Sequence, residues 1–240
     1  MNENIKEAIN QIEESLNEIG FNLSILHLTT GDLTYILNIE KYKGFFENLE
    51  ELYLDDKALT TLPAEIGKLV NLKVLYLEGN ALTSLPAEIG KLVNLERLYL
   101  SNNKIRTLPV EIGDLVNLTE LSLGDNKIRT LPVEIGNLIN LERLHLDDNN
   151  LSNLPKRIFG NLIKLKSLKL NSNKLTNLPE RIFDNLIKLK WLNLSRNNLS
   201  TLPEKILDNL VNLEVLYLDK SNLTLPEKIK NKKGLQIYYY

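Results

Sequence analysis

Leucine recurs along this chain in a short phrase, LxxLxL, that begins at Leu49, Leu72, Leu95, Leu118, Leu141, Leu165, Leu189 and Leu213. The first four units are 23 residues long and the next three are 24. Self-similarity at such a period marks stacked supersecondary units, none of which can bury its apolar side alone. The phrase is too short for a helix and ends in period-two alternation. It therefore predicts a short strand whose leucines point inward while the intervening positions face solvent. In register, these strands predict one long parallel sheet, with the return segments forming the opposite, convex side.

Each unit extends to LxxLxLxxNxLxxLPxxIxxLxx. Asn80, Asn103, Asn126, Asn149, Asn173 and Asn197 fill one column, with Lys57 in the first unit and Ser221 in the last. An amide side chain offers both donors and an acceptor, so a stacked column can satisfy backbone groups buried where the chain turns inward. Lys and Ser cannot do both, which reads as fraying at the two ends. A proline follows the next leucine, at Pro63, Pro86, Pro109, Pro132, Pro155, Pro179, Pro203 and Pro226. It predicts extended backbone before a short helical turn. The Ile and Leu beyond it, such as Ile66 and Leu69, close the core.

The phrase, the Asn column and the Leu-Pro step together resemble the leucine-rich-repeat family over roughly residues 49–226. The 23-residue units with LPxxIGxLxNL resemble bacterial and Ras-group repeats. The units from Leu141 onward, carrying RIFGNL, RIFDNL and KILDNL, resemble the 24-residue type of extracellular receptors such as variable lymphocyte receptors. In them Phe159 and Phe183 are expected to fill the convex side, with Leu207 as the aliphatic substitute. The resemblance implies an α/β solenoid, a right-handed horseshoe with a concave parallel β-sheet. It also implies recognition of a protein partner on that concave face.

Solenoid ends must hide core and sheet edge. Ile5, Ile9, Ile12, Leu16 and Ile19 share one helical face, predicting an amphipathic capping helix over 3–19 that Gly20 stops. Its other face is acidic, which speaks against docking on anionic lipid. Leu23, Leu26, Leu28, Gly31 and Leu33 keep the repeat spacing with Gly in the Asn slot, so residues 21–48 read as a degenerate unit. The predicted organisation is a cap over 1–48, seven units over 49–212, and a last repeat with C-terminal cap over 213–240. Leu235 and Ile237 offer a final half-unit, with Tyr238, Tyr239 and Tyr240 lying over the sheet edge.

Composition changes this picture in two ways. The chain has no cysteine, which removes disulfides, thiolate metal sites and cysteine nucleophiles. No apolar run reaches 18 residues and the N-terminus lacks a signal-like apolar region, so a cytoplasmic location is the expectation, with an exported effector or a mature secreted form without its signal as the alternatives. The small net charge of −2 also conceals an asymmetry. Up to Leu154 there are 13 Lys and Arg against 24 Asp and Glu; from Pro155 the balance is 16 against 7. An elongated array with this distribution carries an end-to-end dipole that can orient a charged partner.

Catalytic constellations are absent from the sequence, and neither enzyme activity nor a cofactor is expected. The two histidines, His27 and His145, lie several units apart, and no phosphate-binding or nucleophile-elbow motif occurs. Paired acids, Asp55-Asp56 and Asp147-Asp148, read as solvated sheet-face residues, and no metal site is expected. The variable strand positions are more informative. One outward column holds Tyr53, Tyr76, Tyr99, Ser122, His145, Lys169, Asn193 and Tyr217. Its neighbour holds Glu51, Val74, Arg97, Glu120, Arg143, Ser167, Trp191 and Val215. Tyrosine is a good strand former, but Tyr, Trp and Arg are also the residues of binding hot spots. Tyr53, Tyr76, Tyr99, Val74, Arg97, Arg143, His145, Lys169, Trp191 and Tyr217 are therefore the candidate partner-binding residues. Two other readings stand beside a protein partner: a structural spacer, and nucleic-acid binding through Lys164, Lys166, Lys169, Lys188 and Lys190. The sequence pI near 5.9 weighs against the latter.

Overall fold

Each LxxLxL phrase forms one short strand. The computed structural model describes residues 3–14, 21–22, 29–220, 225, 227–230 and 232–240. Among these, ten strands form a single sheet in strict sequence order. They are β1 (Phe21–Asn22), β2 (Glu51–Tyr53), β3 (Val74–Tyr76), β4 (Arg97–Tyr99) and β5 (Glu120–Ser122), then β6 (Arg143–His145), β7 (Ser167–Lys169), β8 (Trp191–Asn193), β9 (Val215–Leu218) and β10 (Gln236–Tyr239). Every pairing is parallel, and the middle leucines Leu52, Leu75, Leu98, Leu121, Leu144, Leu168, Leu192 and Leu216 align across it. All eight are buried, in one apolar core that runs the length of the array.

The Asn column does what its chemistry predicts. The Oδ1 of Asn126 accepts from the Ile105 backbone N–H of the preceding unit at 2.9 Å. Its Nδ2 donates to the carbonyls of Leu100, Leu123 and Gly124 at 2.9–3.2 Å. Asn103, Asn149 and Asn173 repeat the pattern, each bridging two units and each buried. The residue just before this column takes a left-handed conformation at Asp56, Gly79, Asn102, Asp125, Asp148, Ser172 and Arg196. Gly, Asn and Asp tolerate that region, which accounts for Gly79, Asn102, Asp56, Asp125 and Asp148 there.

On the return side, Pro63, Pro86, Pro109 and Pro132 hold extended backbone and each opens a five-residue 3-10 helix. These helices stack closely. A Cβ placed on Gly113 would lie 2.7 Å from the Glu134 carbonyl of the next unit, so the glycine permits the approach. The 24-residue units insert phenylalanine where the shorter ones have this glycine. Phe159 and Phe183 are fully buried with ring centroids 6.2 Å apart, Leu207 is 2 % exposed, and the 3-10 helix gives way to turns.

At the N-terminus, α1 (Glu3–Glu14) buries Ile5, Ala8 and Ile12, and packs on α2 (Thr30–Leu37), as a cap should. Leu16, Ile19 and Gly20, the rest of the expected helix, lie outside the described residues. The degenerate repeat takes a different register. Phe21 pairs with Leu52, so β1 sits upstream of the expected Leu23–Leu28 phrase, which also lies outside the described residues. Gly31 occupies no Asn slot; it stands in the first turn of α2, and Leu33 is core within that helix. The reason is local. Thr29 accepts from the Asp32 N–H at 3.2 Å while Asp32 accepts from the Thr29 N–H at 2.9 Å, a capping box that starts a helix there. A short helix, α3 (Lys43–Asn48), then leads into β2. At the far end, α4 (Glu227–Lys230) buries Ile229, and the tyrosine tail extends the sheet as β10 with Ile237 in register with Leu216.

Two substitutions test this framework by urea unfolding. Asn126→Ala strands buried backbone groups and should cost about 3 kcal/mol. Gly113→Ala should cost about 1–3 kcal/mol by forcing two return segments apart.

Candidate interaction surface

Because side chains alternate along a strand and the ladder is in register, equivalent outward residues of successive units form rows. Tyr53 and Tyr76 stack with centroids 4.4 Å apart and 8° between planes; Tyr76 and Tyr99 stack at 5.1 Å and 16°. Rings stacked this way present edges and hydroxyls rather than faces to a partner. The flanking acids fix the row. The Tyr53 hydroxyl donates to Glu51, and the Tyr99 hydroxyl donates to Glu120 Oε2 at 3.4 Å. That bond to Glu51 pushes the Tyr53 phenol far above its usual pKa, while burial, then Glu120, raises Tyr99. Both phenols stay protonated donors. Glu120 also meets Arg143 at 3.4 Å.

A second aromatic cluster forms on the same face at the other end. Trp191 and Tyr217 lie 5.3 Å apart, and Tyr217 stacks on Tyr238 at 5.0 Å and lies tilted beside Tyr240 at 5.8 Å. The Lys169 ammonium sits 5.9 Å from the Trp191 ring, and the Arg196 guanidinium 5.6 Å from that of Tyr240. Sequence reasoning assigned the tyrosine tail to an edge cap and passed over Arg196. The three consecutive tyrosines were the available signal, and only the pairing of β10 with β9 places two of them here.

The remaining candidates divide. Arg97 is partly exposed beside the tyrosine row, and Arg143 is exposed. His145 lies mid-face, where burial, reinforced by Lys169, holds its imidazole below the ordinary value of 6.5. Val74 is only 1 % exposed. It stands in register between the longer Glu51 and Arg97, so it packs beneath them and offers no surface. Asp55 accepts the Glu78 backbone N–H at 2.8 Å. Among the described residues no group of three or more His, Cys, Asp and Glu could hold a metal ion. His27 lies outside them.

Of the lysines of the nucleic-acid reading, Lys169 stands on this face beside Trp191, and Lys164, Lys166 and Lys190 do not gather with it. Lys166 pairs with Glu142 at 2.7 Å and Lys190 with Glu214 at 2.8 Å, on the flank where the chain enters each strand. Lys164 donates to Asn140 there. That flank carries a second asparagine row, unread in the sequence although Asn precedes the leucine that opens most units. Asn71, Asn94, Asn117 and Asn140 each donate to a carbonyl of the preceding unit at 2.8–2.9 Å. They line a polar trough of about 670 Å³. Beside it Val70, Val93, Val116, Ile139, Ile163, Ile187 and Val211 form a single exposed apolar file.

The chain matches the leucine-rich repeat region family over residues 23–124 and 88–168, and the leucine rich repeat family over residues 163–223. Among solved structures it is similar to a leucine-rich-repeat protein of Leptospira interrogans, with 33% sequence identity and a TM-score of 0.78. The match covers 96% of this chain and 63% of that one, so this chain spans under two thirds of that protein's length. No curated protein matches the sequence.

His145 gives this face a pH signature. Its folded pKa is depressed, so the unfolded chain takes up the proton first, and stability falls as pH drops through the ordinary histidine range. Thermal unfolding between about pH 7.5 and 5.5 should show His145→Gln losing less stability than the parent protein.

Proposed function

Because the chain belongs to the leucine-rich-repeat family, whose domains mediate protein–protein interaction and are typically non-enzymatic, we propose that it is a protein-binding module whose partner lies across the outward face of the sheet. The observation that carries this reading is the pair of aromatic clusters. Tyr53, Tyr76 and Tyr99 stand on one end of the face and Trp191, Tyr217 and Tyr238 on the other. Four strand steps, roughly 20 Å, separate Tyr99 from Trp191. Burying a large aromatic against a partner supplies most of the energy of a hot spot. The core does not require these rings, since the inward leucines fill it without them. Arg143, His145 and Lys169 stand between the anchors, with Arg97 beside Tyr99, and would supply selectivity. The nucleic-acid reading is weakened where Lys166 and Lys190 pair with Glu142 and Glu214.

Affinity capture with the parent protein and a Tyr76→Ala, Tyr99→Ala, Trp191→Ala variant, its fold verified by circular dichroism, tests the proposal. Each substitution should weaken partner binding by about 1–3 kcal/mol, so the triple variant should lose the partner. A partner held equally by both proteins would move the interface off this face, the exposed valine and isoleucine file being the next surface to mutate.

A further inference from the structure

The two aromatic clusters carry opposite charge. Around the tyrosine row stand Glu51, Asp55, Asp56, Glu78 and Glu120, with Arg97 and Lys57 as the near cations. These acids crowd one another. Glu78 is held above the usual carboxylate range by burial first, with Asp55, Asp56 and Glu120 adding to it; Asp55 is raised by its own burial first and then by Asp56. Around the other cluster stand Lys169, Arg196 and Lys220. Among the described residues, none of these three forms an ion pair with a carboxylate. Beside them, Asp219 is engaged by the backbone N–H groups of Arg196 at 2.6 Å and Asn197 at 3.0 Å. One face therefore holds an acidic, tyrosine-lined pole and a cationic, aromatic pole. They lie farther apart than the screening length of about 8 Å at physiological salt, so they cannot satisfy each other within one molecule.

We propose that the occupant of this face is a second copy of the same chain, turned end for end. In that arrangement the acidic pole of each copy meets the cationic pole of the other, and both contacts form at once. Such an interface is isologous and closes as a two-fold dimer. It brings Lys169, Arg196 and Lys220 toward Glu51, Asp55 and Glu78, and tyrosine edges toward Trp191, Tyr217 and Tyr238. An unrelated protein could fit one pole alone. A reversed copy matches both with no further requirement on its sequence. The inference rests on the sheet face being the interface, and narrows that reading to one partner.

The test uses the full chain in sedimentation equilibrium and a pair of pole-reversal variants, Glu51→Lys/Glu78→Lys and Lys169→Glu/Arg196→Glu. The parent protein should dimerise at low salt and dissociate toward 1 M salt, where the screening length is about 3 Å. Each variant alone places like charges opposite at both contacts, so its self-association should weaken by about 10- to 100-fold. An equimolar mixture of the two should form a heterodimer, because each reversed pole then meets an opposite one. If a reversed variant fails to fold, the neutral pairs Glu51→Gln/Glu78→Gln and Lys169→Gln/Arg196→Gln replace them. Both neutral pairs should self-associate more weakly, and mixing them should restore part of the association, because one of the two contacts in the mixed dimer keeps its native charges. A parent protein that stays monomeric at low salt overturns the second-copy proposal, while capture by the aromatic residues still decides whether the face binds something else. A dimer indifferent to both reversals, or a mixture without a heterodimer, overturns it as well.

Discussion

Every turn of this solenoid must bury the backbone that carries the chain from strand to return segment, and one amide side chain per unit meets that requirement. The asparagine between the strand and the Leu-Pro step accepts from a backbone N–H of the unit before it and donates to carbonyls of both units. Backbone groups left without partners in the interior would each cost about 1–3 kcal/mol. The column also ties neighbouring units in a fixed register, because its bonds run between units. Parallel pairing of the strands and stacking of the return segments follow from that register. The repeat length is free to change behind it: the inserted Phe159 and Phe183 fill space on the return side while the strand ladder continues unbroken.

With register and core secured from behind, the outward strand positions carry little of the folding load. That freedom explains why they vary while the leucines do not. It also explains how aromatic and charged residues of opposite sign can collect at opposite ends of one face. The same register that aligns Leu52, Leu75 and Leu98 places Tyr53, Tyr76 and Tyr99 in contact, so the surface rows inherit their order from the core. A partner meeting this face meets a preformed surface, and little ordering of these side chains need accompany binding.

The repeating part of the fold was legible because its signals are local and redundant: the Asn column, the Leu-Pro step and the buried phenylalanines all stand as read from the sequence. Legibility failed where one signal appeared once. At Gly31 the leucine spacing suggested a strand turn, but Thr29 and Asp32 form a capping box, and the helix it starts overrides the spacing. Val74 read as surface because alternation puts it outward; the length of its ladder neighbours, which alternation does not encode, buries it. The flanking asparagine row went unread because its carbonyl partners become visible only once the units are stacked. Tyr238 and Tyr240 joined the candidate surface through the register of β10, a pairing between segments that no single-unit pattern specifies.

Native-state hydrogen exchange at the amides that donate to the asparagine column tests the central claim most directly. The N–H groups of Leu82, Ile105, Ile128 and Leu151 lie beyond the strands and bond only through Asn103, Asn126, Asn149 and Asn173. If the column holds the array, they exchange as slowly as the amides of Leu77 and Leu100, which bond to Tyr99 and Ser122 of the next strand, by cooperative opening of several units. Exchange at the rate of exposed turn amides would contradict it, and would leave the leucine core alone to set the register.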